Sequence, residues 1–205
     1  MIQISRQPLV LAAHPSLGVH TVAELVRLAK DKPGIAYASS GNGSNQHMMA
    51  EWFARAAGIQ LTHVPYKGGG QAISDLIAGQ VPLGLLGSTP LVPHYKSGRL
   101  RLLAQSSRSR SPTLSGVPTF EEQGIKGLYI EQWVGLFMPA GTPAAAIERL
   151  NTQVGRALAE PAIREGYAAV AMEAVGGSQA EFAKLVREDY DKYRRVVKEL
   201  NIRAD

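Results

Sequence analysis

Between Ile35 and Gln105 the sequence repeats one pattern: a short apolar run, a turn of Gly, Ser, Pro or Asn, and an amphipathic stretch stopped by glycine. The apolar runs are residues 35–38, 61–64 and 82–86, and residues 100–105 supply a further strand. Strand, loop and helix in succession imply a parallel sheet wrapped by helices, an α/β fold in which ligands lie beyond the carboxyl ends of the strands. Function is therefore sought first in the loops at those ends.

The first such loop reads Ser39, Ser40, Gly41, Asn42, Gly43, Ser44. It opens a helix whose inner stripe is Met49, Trp52, Phe53 and Ala56, with Gly58 placed to end it. The first turn of a helix leaves backbone N–H groups unpaired and carries about half a positive charge, so a loop of small polar residues there suits an anion. An ordinary βα turn also favours Gly and Ser, so composition alone does not decide between the two readings. The second loop, with Tyr66, Lys67 and Gly68, repeats the first in outline; Lys67 either meets a carboxylate or is a solvated loop lysine. The third begins at Gly87 and runs through Ser88, Thr89 and Pro90, with Thr89 as a helix cap.

On either side of the repeat the chain reads less regularly. Residues 7–13 form a strand, and Thr21 with Glu24 begins a helix bearing Val22, Leu25, Val26 and Ala29. Thr119 with Glu122 predicts a one-turn helix, and residues 129–139 form an extended segment, with Trp133, Gly135 and Phe137 on one side, long enough to cross between domains. Beyond residue 140 come helices bearing Ile147, Leu150, Val154 and Leu158, then Phe182, Leu185, Val186, Tyr193, Val196 and Leu200, with a short strand at 171–175 between them. Those stripes need a partner surface, and the chain after 140 offers almost no sheet. The expectation is self-association, most simply a two-fold homodimer through residues 140–205.

Several functions lack their residues. Ser44 and His47 are near in sequence, but no G-x-S-x-G elbow accompanies them, and no catalytic residue is assigned. Gly41 and Gly43 begin a G-x-G-x-x-G that fails at its third glycine, and no Gly-Lys pair offers a P-loop. Cysteine is absent and His14, His20, His47, His63 and His94 stand at no metal-binding spacing, so no metal and no cofactor is expected. The net charge of +5 is mild, and Arg108 and Arg110 lack interleaved aromatics, so no nucleic-acid partner is expected. No apolar run reaches the ~18 residues of a membrane span, and the start has no basic and apolar signal-peptide pattern.

Residues 37–44 (YASSGNGS), 63–68 (HVPYKG), 79–81 (GQV), 110–112 (RSP), 117–119 (VPT) and 135–143 (GLFMPAGTP) resemble, in order, the Bug/TctC family. These are extracytoplasmic solute-binding receptors of tripartite tricarboxylate transporters. The resemblance implies a type II periplasmic binding protein of two lobes that closes on a small carboxylate and delivers it to membrane permease subunits. It implies a periplasmic location and no enzymatic activity, and it assigns residues 39–44 to the ligand carboxylate. Tyr66, Lys67, Gly68 and Gly87 complete the candidate contacts, although the family usually has an acid where Gly87 stands. The family's secretion signal and the first part of its mature sequence have no counterpart here. The expectation is thus one parallel-sheet ligand-closing lobe, residues 12–130, plus the C-terminal helices of a truncated second lobe, residues 140–205. A cytoplasmic effector-sensing domain on a similar fold is the alternative.

Overall fold

The computed structural model describes residues 1–202, which form two sheets that share one strand. In the first sheet, β2 (Ile35–Ser39), β3 (Leu61–Pro65) and β4 (Leu83–Gly87) run parallel, and β5 (Arg101–Gln105) completes the order β3-β2-β4-β1-β5. The shared strand, β1 (Ile2–Ala13), enters this sheet antiparallel to both neighbours, pairing Leu9 with Gly87 and Val10 with Gln105. The sheet is therefore not purely parallel, as the repeats alone suggest. The reason lies in the first half of β1, which pairs with β6 (Glu131–Leu136) and β7 (Glu173–Gly176) in a second, antiparallel sheet. A strand arriving from there has to enter the first sheet head-on. The strand begins at Ile2 and not at Gln7, and the short strand expected at 171–175 is present as β7.

Both faces of the first sheet are covered. On one, α1 (Val22–Asp31) and α2 (Asn45–Ala57) bury Leu25, Met49 and Phe53 against Leu9, Leu11, Tyr37 and Leu85. On the other, α3 (Gly69–Ile77) and α4 (Val92–Lys96) cover Val10, Ala12, Ala38 and Leu86. At about 1.5–3 kcal/mol for each large apolar side chain removed from water, these two layers hold the lobe together. The stripe on α2 lies slightly off the expected one: Ala54 faces the core and Ala56 is exposed.

The second sheet carries α5 (Ala144–Ala159), α6 (Pro161–Ala169) and α7 (Gln179–Leu200). Helix α7 begins with the expected capping box, Ser178 with Glu181, and buries Phe182 beside Trp133 and Phe137. Its far end does not wait for an absent partner. Val196, with Tyr193 and Leu200 beside it, packs on Met48 and Trp52 of α2, and Arg55 Nη1 donates to the carbonyl of Glu199 at 3.0 Å. Thr119 and Glu122 exchange capping hydrogen bonds but close a turn and not a helix. Ser88, not Thr89, precedes the 3-10 turn Thr89–Leu91. Among the described residues no helix is long and apolar enough to cross a membrane.

Candidate functional site

The carboxyl end of β4 meets β1 where that strand passes between the two sheets, with Ser88 N donating to the carbonyl of Pro8 at 3.1 Å, and β2 and β3 run parallel to β4. The loop after β2 is wound on two glycines in the left-handed region, Gly41 at φ 131° and Gly43 at φ 71°. A Cβ on Gly41 would lie 3.1 Å from the carbonyl oxygen of Tyr66, so this glycine also lets the first two loops touch. Tyr66 N donates to the carbonyl of Ser39 at 3.2 Å, closing that contact.

Within the loop the donors are already engaged. Ser40 N donates to Gln46 Oε1 at 2.8 Å, Gly41 N to Ser39 Oγ at 3.1 Å and Gly43 N to His47 Nδ1 at 3.1 Å. The Ser44 hydroxyl caps α2 by accepting from His47 N at 3.2 Å, and it donates to the carbonyl of Gly41 at 2.8 Å. Asn42 is half-buried in the same turn. Ser44 and His47 thus meet through the main chain, and the imidazole nitrogen nearest the loop is spent on Gly43. Ser39 Oγ lies 2.6 Å from His63 Nε2, but Ser39 is fully buried, out of reach of a substrate.

An imidazole nitrogen that accepts from a backbone N–H carries no proton, so His47 is held neutral here. Burial pushes its pKa below the ordinary histidine value, against a weaker pull from the Glu51 carboxylate. The His47 ring stacks on His63 with centroids 4.0 Å apart, and His63 stacks on Tyr37 at 4.9 Å. Tyr37 in turn donates its hydroxyl to Glu51 Oε1 at 2.6 Å.

At the second loop, the Tyr66 hydroxyl donates to Asp75 Oδ2 at 2.7 Å; burial first, then this bond, push its pKa up to about 12. Lys67 is exposed. Gly68, at φ 125°, precedes α3 and supplies no side-chain acceptor to that helix start. Gly87 closes β4 two strands from β3, with the side chains of Gln7 and Gln132 standing over it. The structure thus gathers residues 40–44, Tyr66, Gly68 and Gly87 along one edge, with Lys67 at its margin; the Ser39 side chain is buried beneath the turn and does not join them. The sequence reading missed Gln7, Gln46, His63 and Gln132. Gln46 and His47, at the second and third positions of α2, carried a signal in their reach back to the loop, whereas Gln132 is found only from strand register. A cavity of about 940 Å³ is lined by Arg6, Gln7, Ser107, Tyr129, Trp133 and Glu173; Gln7 borders it, whereas residues 39–44, Tyr66, Lys67, Gly68 and Gly87 do not. Among the described residues no group of three or more acidic or histidine side chains is placed to hold a metal.

Residues 1–202 match the profile of the tripartite tricarboxylate transporter family receptor, TctC. The chain belongs to the TctC family. BugT of Bordetella pertussis is 31% identical to it over 193 residues, which cover 94% of this chain and 59% of BugT. An R. palustris protein solved with adipate superposes with a TM-score of 0.94 at 31% identity, covering 100% of this chain and 69% of that one. MatC from Rhodopseudomonas palustris, solved with malate, gives 0.86 at 26% identity over 95% and 68%. This TctC chain therefore has the fold of a periplasmic binding protein, and it spans about 60% of the length of the curated relatives it matches. TctC proteins are receptors and not enzymes.

Proposed function

We propose that this chain supplies the ligand-closing lobe of a periplasmic solute-binding receptor that takes a small carboxylate and passes it to the permease subunits of a tripartite tricarboxylate transporter. The observation that carries the reading is the turn at residues 39–44, which aims backbone N–H groups and the start of α2 past the carboxyl end of β2. Two of these N–H groups are held by side chains, Ser40 N by Gln46 Oε1 and Gly43 N by His47 Nδ1, while Ser44 N donates to the carbonyl of Gly41. Side chains can swing away, so an arriving carboxylate exchanges with them without rebuilding the backbone, and the N–H groups and helix dipole then favour its charge. Tyr66, Lys67, Gly68 and Gly87 border the same anion. Relatives solved with adipate and malate support this ligand class. In this reading residues 12–130 move as the closing lobe and residues 140–205 belong with the other. No turnover is expected, since no base addresses the Ser44 hydroxyl.

Calorimetric titration of the 205-residue chain with adipate and with malate tests this. Binding by the wild type and its loss in Gly43→Leu is the expected result, because a side chain there is strained at φ 71° and blocks the backbone. Ser44→Ala is expected to be milder, on the order of 1 kcal/mol. Equal affinity in Gly43→Leu would remove the loop from the site, and no binding of either acid would sink the reading.

A further inference from the structure

We propose that the side-chain amide of Gln132 is a specificity-determining ligand contact, offering the N–H donors on its side away from Gln7 to a ligand carboxylate oxygen. This deepens the reading given under Proposed function and rests on it. Gln7 on β1 and Gln132 on β6 are opposite one another in the register of the second sheet, so their side chains leave the same face. Both are half-buried, where the two sheets meet.

An isolated glutamine can present its amide either way round, but this pair cannot. Thr89 N donates to Gln7 Oε1 at 2.9 Å, and the Ser88 hydroxyl approaches the same oxygen at 3.4 Å. A backbone N–H is a donor only, so the oxygen of Gln7 must face it and Gln7 Nε2 must face outward. That nitrogen donates to Gln132 Oε1 at 3.2 Å. The acceptor of Gln132 is thereby used, and its Nε2, with two N–H donors, is turned away from Gln7. Polarity set at a main-chain amide is relayed through two side chains to a single outcome.

Gly87 makes room for the relay. A Cβ there would stand 2.7 Å from Gln132 Oε1 and 3.1 Å from Gln7 Nε2, so any side chain at this position would displace the pair. The backbone at Gly87 does not need glycine; only the space does. A neutral donor at this spot accepts a carboxylate, carbonyl or hydroxyl oxygen and offers nothing to an ammonium group. Gly87 ends the strand beside β2, whose own end carries the anion turn. The ligand class is then a dicarboxylate or hydroxycarboxylate, with one acid group at residues 39–44 and a second oxygen group at Gln132.

The test is calorimetry of the 205-residue chain with adipate and with 5-aminopentanoate, in which an ammonium replaces one carboxylate. The wild type is expected to prefer adipate. Gln132→Glu keeps an acceptor for Gln7 and turns the outward donor into a charged acceptor; it should weaken adipate at least about tenfold and shift the preference toward 5-aminopentanoate. Gly87→Asp, which unseats both glutamines, should weaken adipate in the same direction. Wild-type adipate affinity in both variants would overturn the assignment while leaving the carboxylate reading intact. A wild type that binds neither adipate nor malate would overturn both.

Discussion

The ring of Phe182 lies directly over Gly135: a Cβ built on that glycine would stand 2.1 Å from Phe182 Cζ. Trp133 meets the same ring edge-on at 5.3 Å and Phe137 at 5.2 Å, so the phenyl group has little freedom to retreat. Gly135→Ala should therefore destabilise by about 1–3 kcal/mol, the usual penalty for overfilling a packed site. Urea unfolding measures it, and an unchanged midpoint would show that the start of α7 is not seated on β6.

His47 predicts a pH dependence. Its folded-state pKa lies below the ordinary value of about 6.5, so the unfolded chain takes up the proton more readily. The stability linked to His47 is complete above about pH 6.5 and declines as the pH falls toward the folded-state value. Thermal melts between about pH 5 and 8 should show this slope, reduced in His47→Gln. Some slope should remain, because burial, and then Arg99, lower His94 as well. A His47→Gln profile identical to wild type would refute the assignment.

Ser106 fastens β1 to the segment that leads into β6. Fully buried, its hydroxyl accepts from Leu9 N at 2.9 Å, where β1 enters the first sheet, and donates to the carbonyl of Ile130, just before β6. Ser106→Ala leaves both backbone groups without this partner and should cost about 1–3 kcal/mol. Hydrogen exchange at Leu9 should rise in the variant; an unaltered rate would mean that the amide is protected by something else.

Val134 on β6 and Phe137 just beyond its end remain 52% exposed, and the only partner strand of β6 among the described residues is β1. An apolar strand with an open edge invites another chain. Light scattering at micromolar concentration should show self-association of the 205-residue chain, and Val134→Lys should reduce it. Monomers at every concentration would contradict this.

The βα repeat was legible because each unit carries its own punctuation. Gly58, Gly79 and Gly98 take positive φ where helices end, and Ser44 caps the first of those helices where it begins. The first half of β1 was not legible, because Gln3, Ser5 and Arg6 interrupt any apolar pattern. Gln3 and Ser5 are nevertheless buried, since strands lie on both sides of them. The anion turn could be found from its residue types, yet the pairing of its N–H groups with Gln46 and His47 depends on side-chain reach within one turn of helix. Gln7 and Gln132 stand 125 positions apart, and nothing local to either marks the other.

Strand β1 pairs with β4, β5, β6 and β7, so twelve residues near the start of the chain find partners as distant as Gly176. Folding rates fall as contacts span more of the chain. A ribosome releases β1 long before any strand it pairs with, and during that interval its apolar half, Leu9 to Ala13, has no sheet to enter. The segment that unites the two sheets thus waits for partners that all emerge well after it, and an apolar run held in that state is one a chaperone would bind.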